Sequence, residues 1–144
     1  MGLVVPVVSV NLVAVVLAAI ASFVIGMVWY SPMLFGKMWM KEIGTTEKEM
    51  KKKKGGMMQA MGMWFVGGLV TAYVLAHFLA YATGGYPTLM DGVMVGFWAW
   101  LGFVATVSAG MVLWGGKSLR LYALTAGNDL VSMLAMGAIL AVWA

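Results

Sequence analysis

Charged side chains divide the chain into four long apolar stretches. Met1–Gly36, Gly55–Met90, Gly92–Gly116 and Leu121–Ala144 contain no Asp, Glu, Lys or Arg, apart from Asp129 in the last. A helix crosses a ~30 Å hydrocarbon layer with about 20 residues at 1.5 Å each, so every stretch holds one span and none holds two. The expected spans are about 7–30, 57–81, 92–114 and 121–143. The expected fold is all-α: a four-helix transmembrane bundle, with residues 1–144 as a single integral membrane domain. "MGLVVPVVSVNLVAVVLAAIASFVIG" lacks a basic flank, and its apolar run outlasts a leader's core, so it is read as the first span and not as a cleavable signal.

The connections differ in charge. The first, Lys37–Lys54, carries Lys37, Lys41, Lys48 and Lys51 to Lys54, and the third carries Lys117 and Arg120. The second, "ATGGYPTLMDG", has no basic residue. By the positive-inside rule, connections one and three are expected to be cytoplasmic and both termini outside, in a multi-pass protein of the cell membrane. Aromatic residues fit that frame, with Trp29, Tyr30, Trp39, Trp64 and Trp114 near the inner interface and Tyr81, Tyr86 and Trp143 near the outer.

Local signals punctuate the first connection. Pro32 disfavours helical geometry at Ser31 and ends the first helix. The following "LFGKMWMKEIG" is amphipathic, which places Phe35, Met38, Trp39 and Ile43 on the membrane surface as a short cytoplasmic segment between helices one and two. Thr46 with Glu49 three residues later forms a capping-box pattern that starts a new helix. The lysines attract anionic lipid on one reading, and on the plainer one they only set topology in a solvated turn.

Composition excludes several kinds of chemistry. Hydrophobic residues make up 63% and charged residues 10%, against about 25% charged in a soluble domain. There is no cysteine, hence no disulfide, thiol nucleophile or thiolate metal ligand. Phosphate-binding loops, nucleophile elbows and a HExxH pair are also absent from the sequence. Met57 and Met61 put two thioethers on one helix face, a pattern that suits Cu(I). With 15 methionines spread over every helix, however, the residue reads as flexible apolar filler. No cofactor, no metal and no enzymatic activity are expected. The lysine cluster has membrane-facing aromatic neighbours, so membrane lipid and not nucleic acid is the expected partner.

The block "NLVAVVLAAIASFVIGMVWYSPMLFGKMWMKEIG", followed by the capped acidic turn and later by "AYVLAHFLAY" and "LVSMLAMGAIL", resembles the small prokaryotic membrane family known as domain of unknown function 1761. Asn11, Trp29, Tyr30, Pro32, Phe35, Gly36 and Trp39 carry the resemblance in order. It implies a four-helix membrane protein over nearly the whole chain and assigns no role to any residue.

Two sets of positions stand out within the spans. Small residues recur every fourth position at Ala14, Ala18, Ser22 and Gly26, and again at Gly92 and Gly96 and at Gly137 and Ala141. Such faces let backbones approach closely, either within one protomer or between protomers; a homo-oligomer, most simply a dimer, is expected. The second set is polar. Tyr122, Thr125, Asp129 and Ser132 follow at steps of three, four and three on one face of helix four. A charge at mid-helix is disfavoured by ~2.5–3.5 kcal/mol, so Asp129 is expected to face protein or water. Alternatively "GND" caps a helix from Leu130, which leaves 15 residues, about 22 Å and too short to span. His77, flanked one turn away by Tyr73 and Tyr81, reads as an interface residue or a ligand. Asn11, on the small-residue face in the outer half of helix one, reads as a buried interhelical amide placed to meet His77 near the outer leaflet. Asp91 is expected to cap helix three.

Two functions follow as expectations. The first is a self-associating structural or regulatory protein of the envelope. The second is an oligomeric small-solute or ion transporter or channel with Asp129 and its stripe lining the path.

Overall fold

The computed structural model describes residues 8–144. Among these residues eight α-helical segments follow one another: α1 Leu12–Trp29, α2 Gly36–Ile43, α3 Glu47–Lys52, α4 Lys54–Thr83, α5 Leu89–Trp100, α6 Thr106–Ser108, α7 Gly110–Leu113 and α8 Leu119–Val142. A π-helical turn, Leu101–Ala105, joins α5 to α6. Among the described residues four helices are long and apolar enough to cross a membrane: Leu12–Trp29, Gly55–Thr83, Leu89–Leu113 and Leu119–Val142. Among the described residues there is no strand. The all-α fold with four spanning-length helices is the one the hydropathy pattern requires.

The first span starts later than its hydropathy suggests. Asn11 is the N-cap of α1: its Oδ1 accepts from the backbone N–H of Val13 at 3.0 Å and of Ala14 at 3.3 Å. Residues 8–11 are therefore not helical, while residue 7 of the expected span lies outside the described residues. A side-chain oxygen that satisfies two free N–H groups sets the boundary more sharply than hydrophobicity can. The same physics corrects helix three. Thr88, not Asp91, is the N-cap, and the Asp91 carboxylate returns the bond to the Thr88 N–H at 2.8 Å in a complete capping box. Thr46 caps α3 as its sequence indicates, with Oγ1 accepting from Glu49 N–H.

α8 is the central helix. It packs against α1, α4 and α5, most extensively against α5, while α4 touches both α1 and α5. α8 is also the least apolar of the four spanning helices and the most buried. In water that pairing would be perverse. In a bilayer, lipid solvates the most apolar surfaces, so hydrophobicity does not draw helices together and the least apolar helix gains most from the interior.

The core holds Ala14, Val15 and Ala18 of α1, Ala72, Leu75, Ala76 and Leu79 of α4, Ala99 of α5, and Met133, Met136, Leu140 and Ala141 of α8. Small side chains bring the backbones close, above all at the α5–α8 crossing. A Cβ added to Gly92 would overlap the carbonyl oxygen of Gly137, and one added to Gly96 would overlap that of Met133. The expected small-residue stripes are thus filled within one protomer. Ala14, Ala18 and Gly26 are buried, with the Trp64 ring lying where a Gly26 side chain would stand, and Ser22 is half-buried.

α2 rests against the start of α8. Glu42 accepts from the Ser118 hydroxyl at 2.6 Å and pairs with Arg120 at 3.7 Å. Phe35 stacks on Trp29 with centroids 4.7 Å apart and Trp39 on Tyr30 at 5.5 Å, while Met38 and Ile43 stay exposed. The amphipathic segment is therefore anchored by its aromatic residues and leaves an apolar edge free.

Candidate functional site

The polar residues of the molecule's interior gather on α8. That helix is continuous through "GND", so Asp129 lies inside it, ten residues and about 15 Å from its first residue. Asp129 is half-buried, and among the described residues it takes part in no ion pair. The Asn128 side chain lies beside its carboxylate, and the Tyr30 phenol is within electrostatic reach.

Around it, α8 is gripped from two sides. The Trp29 indole N–H of α1 donates to the Leu124 carbonyl at 3.0 Å, and the Trp100 indole N–H of α5 donates to the Ala126 carbonyl at 2.9 Å. At about 100° per residue, carbonyls two positions apart point to nearly opposite sides of a helix. Gly127 makes room for the first of these rings, since a Cβ there would sit 3.2 Å from Trp29 Cζ2. Each indole must bring its N–H to an acceptor when buried, and a helix carbonyl can accept a second bond.

The expected stripe resolves into separate roles. Tyr122 donates its hydroxyl to the Ala105 carbonyl at 2.6 Å, just where the π turn ends. That carbonyl also accepts from the Ala109 N–H, so the tyrosine ties α8 to a distorted stretch of the third span. Thr125 bonds back to its own helix, donating to Leu121 O at 3.1 Å and lying 3.2 Å from Tyr122 O. Ser132 differs from both. It is 4% exposed, and its Oγ has no hydrogen-bond partner among the described residues.

Asn128 is the residue that sequence reasoning missed as a site member. It is 3% exposed, and its Oδ1 is likewise without a partner among the described residues. The sequence weighed it only as an alternative helix cap. Its position four residues before Ser132, on the face that turns inward, was the available signal. A buried polar atom left unpaired destabilises by ~1–3 kcal/mol, and such atoms are rare enough to need a reason. The two lie one turn apart on α8, next to Asp129, whose carboxylate the Asn128 side chain reaches.

The other candidates stand apart from this cluster. Asn11 is exposed, and its Nδ2 donates to the Trp143 carbonyl at 2.7 Å. It does make the expected interhelical bond, but from a cap at the helix end and not as a buried amide, because its own oxygen is committed to α1. His77 Nδ1 is 2.8 Å from the Tyr73 carbonyl, and its ring packs on Tyr73 at 4.5 Å and Tyr81 at 6.3 Å. Asn11 and His77 therefore do not pair with each other. His77 lies six residues, ~9 Å, from the end of α4, while Asp129 lies thirteen residues, ~20 Å, from the end of α8 at the same end of the bundle. They sit at different depths, so an acid–base pair between them has no geometry to work in. Near the Asn11 end, a cavity of about 50 Å³ is lined by Asn11, Ala14, Ala76, Leu79 and Leu140 among others. Its walls are mainly apolar. Among the described residues no three His, Cys, Asp or Glu side chains group as a metal site would need.

No curated protein and no solved structure matches the chain. The family described as protein of unknown function (DUF1761) matches it over residues 13–141, from the first turn of α1 to the last turn of α8, and the chain belongs to that family.

Proposed function

We propose that this protein is a small, non-enzymatic membrane transporter or channel that passes a proton or small cation at Asp129. The observation behind the reading is the interior cluster on α8: an acid without an ion pair, flanked by two buried oxygens without hydrogen-bond partners. Ionisable groups inside membrane bundles are disfavoured energetically and mark ion or proton pathways. The small-residue faces that supported a purely structural role are consumed by packing within the protomer, which removes their main argument. The lysine-bearing connections face the cytoplasm and both termini face outward in this proposal, following the positive-inside rule. Asp129 then lies nearer the cytoplasmic side.

The test is flux. Purified protein in liposomes, under an imposed diffusion potential, should acidify or load the lumen as read by an entrapped dye, and Asp129→Asn should abolish that signal while keeping the fold. Unchanged flux in the variant removes Asp129 from the path. Because the chain has no cysteine, Thr125→Cys offers a second readout, since a water-filled path makes it react with a soluble maleimide.

One observation also favours assembly of the path from several copies. On α4 the outward face carries Gly56, Ala60, Gly67 and Thr71 at steps of four, seven and four, and a Cβ added at Gly56 or Gly67 meets nothing. This seam suits close approach of a second copy in lipid. Gly67→Leu should then convert the protein to a monomer in crosslinking assays.

A further inference from the structure

We infer that Asn128, Asp129 and Ser132 form a binding site for one small monovalent cation of the sodium class. The inference rests on the reading of the α8 cluster as a cation pathway and names the species that cluster holds.

The spacing places the three side chains next to one another along α8. Ser132 follows Asn128 by four residues and Asp129 by three, and both separations make side chains neighbours on a helix surface, with Cβ atoms about 5–6 Å apart. Ser132 thus neighbours both an amide and a carboxylate side chain on the helix surface. Asn128 Oδ1 and Ser132 Oγ are both buried and unpartnered, so neither is already spent on the protein. Several nearby polar groups are spent. The Leu124 and Ala126 carbonyls accept from Trp29 and Trp100, and the Tyr122 hydroxyl donates to Ala105.

Donor type and charge then select the occupant. All three ligands are hard oxygens, which suit alkali or alkaline-earth ions and not soft or imidazole-seeking metals. Calcium takes about 6–8 oxygens, commonly from several carboxylates, whereas this site has one. A single carboxylate with a single positive charge makes a neutral unit, the arrangement that an apolar interior tolerates best. Ordered water can complete the shell.

The experiment is thermal unfolding of the full-length protein in mild detergent, with NaCl exchanged for choline chloride at constant ionic strength. Wild type should melt at a higher temperature as sodium rises, with saturation. Asp129→Asn should lose the response. Ser132→Ala should need about tenfold more sodium for the same shift, the loss expected for one ligand. In choline alone it should melt no lower than wild type, because an unpartnered buried hydroxyl has been removed. Wild type that melts identically in sodium and choline overturns the site, as does Ser132→Ala responding like wild type. Should Ser132→Ala not fold, ²³Na line broadening by wild-type protein decides the matter, and its absence is equally fatal. Failure of the pathway looks different: saturable sodium stabilisation without flux leaves the site standing and removes transport. Proton flux through Asp129 without any sodium response keeps the pathway and removes the sodium site.

Discussion

Gly137→Ala and Gly67→Ala are the same chemical change with opposite expected outcomes. At Gly137 an added methyl overlaps the Gly92 carbonyl oxygen and lies 2.8 Å from the Gly92 carbonyl carbon. Carbon atoms rest about 3.5–4.0 Å apart, so α5 and α8 must separate by roughly 1 Å, and the obstruction is backbone that cannot rotate away. A gap of that size forfeits about a quarter to a half of each contact's attraction along the seam. Overpacking of this kind destabilises by about 1–3 kcal/mol. Strain on the Trp100–Ala126 hydrogen bond of the same seam adds ~1 kcal/mol, which the better helix propensity of alanine offsets. The net expectation for Gly137→Ala is a loss of ~1–3 kcal/mol. At Gly67 the added methyl meets nothing within the protomer, so in a detergent that keeps the protein monomeric only the propensity gain of about 0.5–1 kcal/mol remains, as stabilisation. Thermal unfolding in mild detergent, followed by near-ultraviolet circular dichroism of the tryptophans, should order the three proteins Gly137→Ala, wild type, Gly67→Ala from least to most stable. If Gly137→Ala unfolds with or after wild type, the close α5–α8 crossing is wrong.

Two further substitutions probe how α8 is held. Trp29→Phe and Trp100→Phe each keep an aromatic ring and remove one indole bond to the α8 backbone; each should lower stability by ~0.5–1.5 kcal/mol in the same melt, with near-additive loss in the double variant. Asn11→Ala removes both the α1 cap and the bond to Trp143, and should destabilise by ~1–2 kcal/mol, whereas Asn11→Ser keeps the cap and should recover about half. Hydrogen exchange at Val13 and Ala14 reports the cap directly, and unchanged protection in Asn11→Ala would contradict it.

Sequence alone determined the four spans, the polar connections and the start of α3. These are local properties. A run of about 20 apolar residues must bury its backbone bonds within itself, whatever its neighbours do. Thr46 caps its helix because the partner is three residues away and no tertiary contact is needed. The same locality explains the errors at the first and third spans, where side-chain caps at Asn11 and Thr88 moved boundaries that hydropathy had blurred. The resemblance to a family was also legible, since it lies in the order of residues along the chain.

Tertiary structure decided which small residues touch and which polar ones are enclosed. By periodicity Gly92 and Gly67 look alike, yet one meets the Gly137 backbone and the other faces outward. Asn128 was indistinguishable from a helix cap until α1, α4 and α5 closed around α8 and buried its oxygen with that of Ser132. In a bilayer, hydropathy reports whether a helix crosses but is nearly silent on which face meets another helix, because lipid and neighbouring side chains are equally apolar. Only the packing of one backbone against another makes that choice.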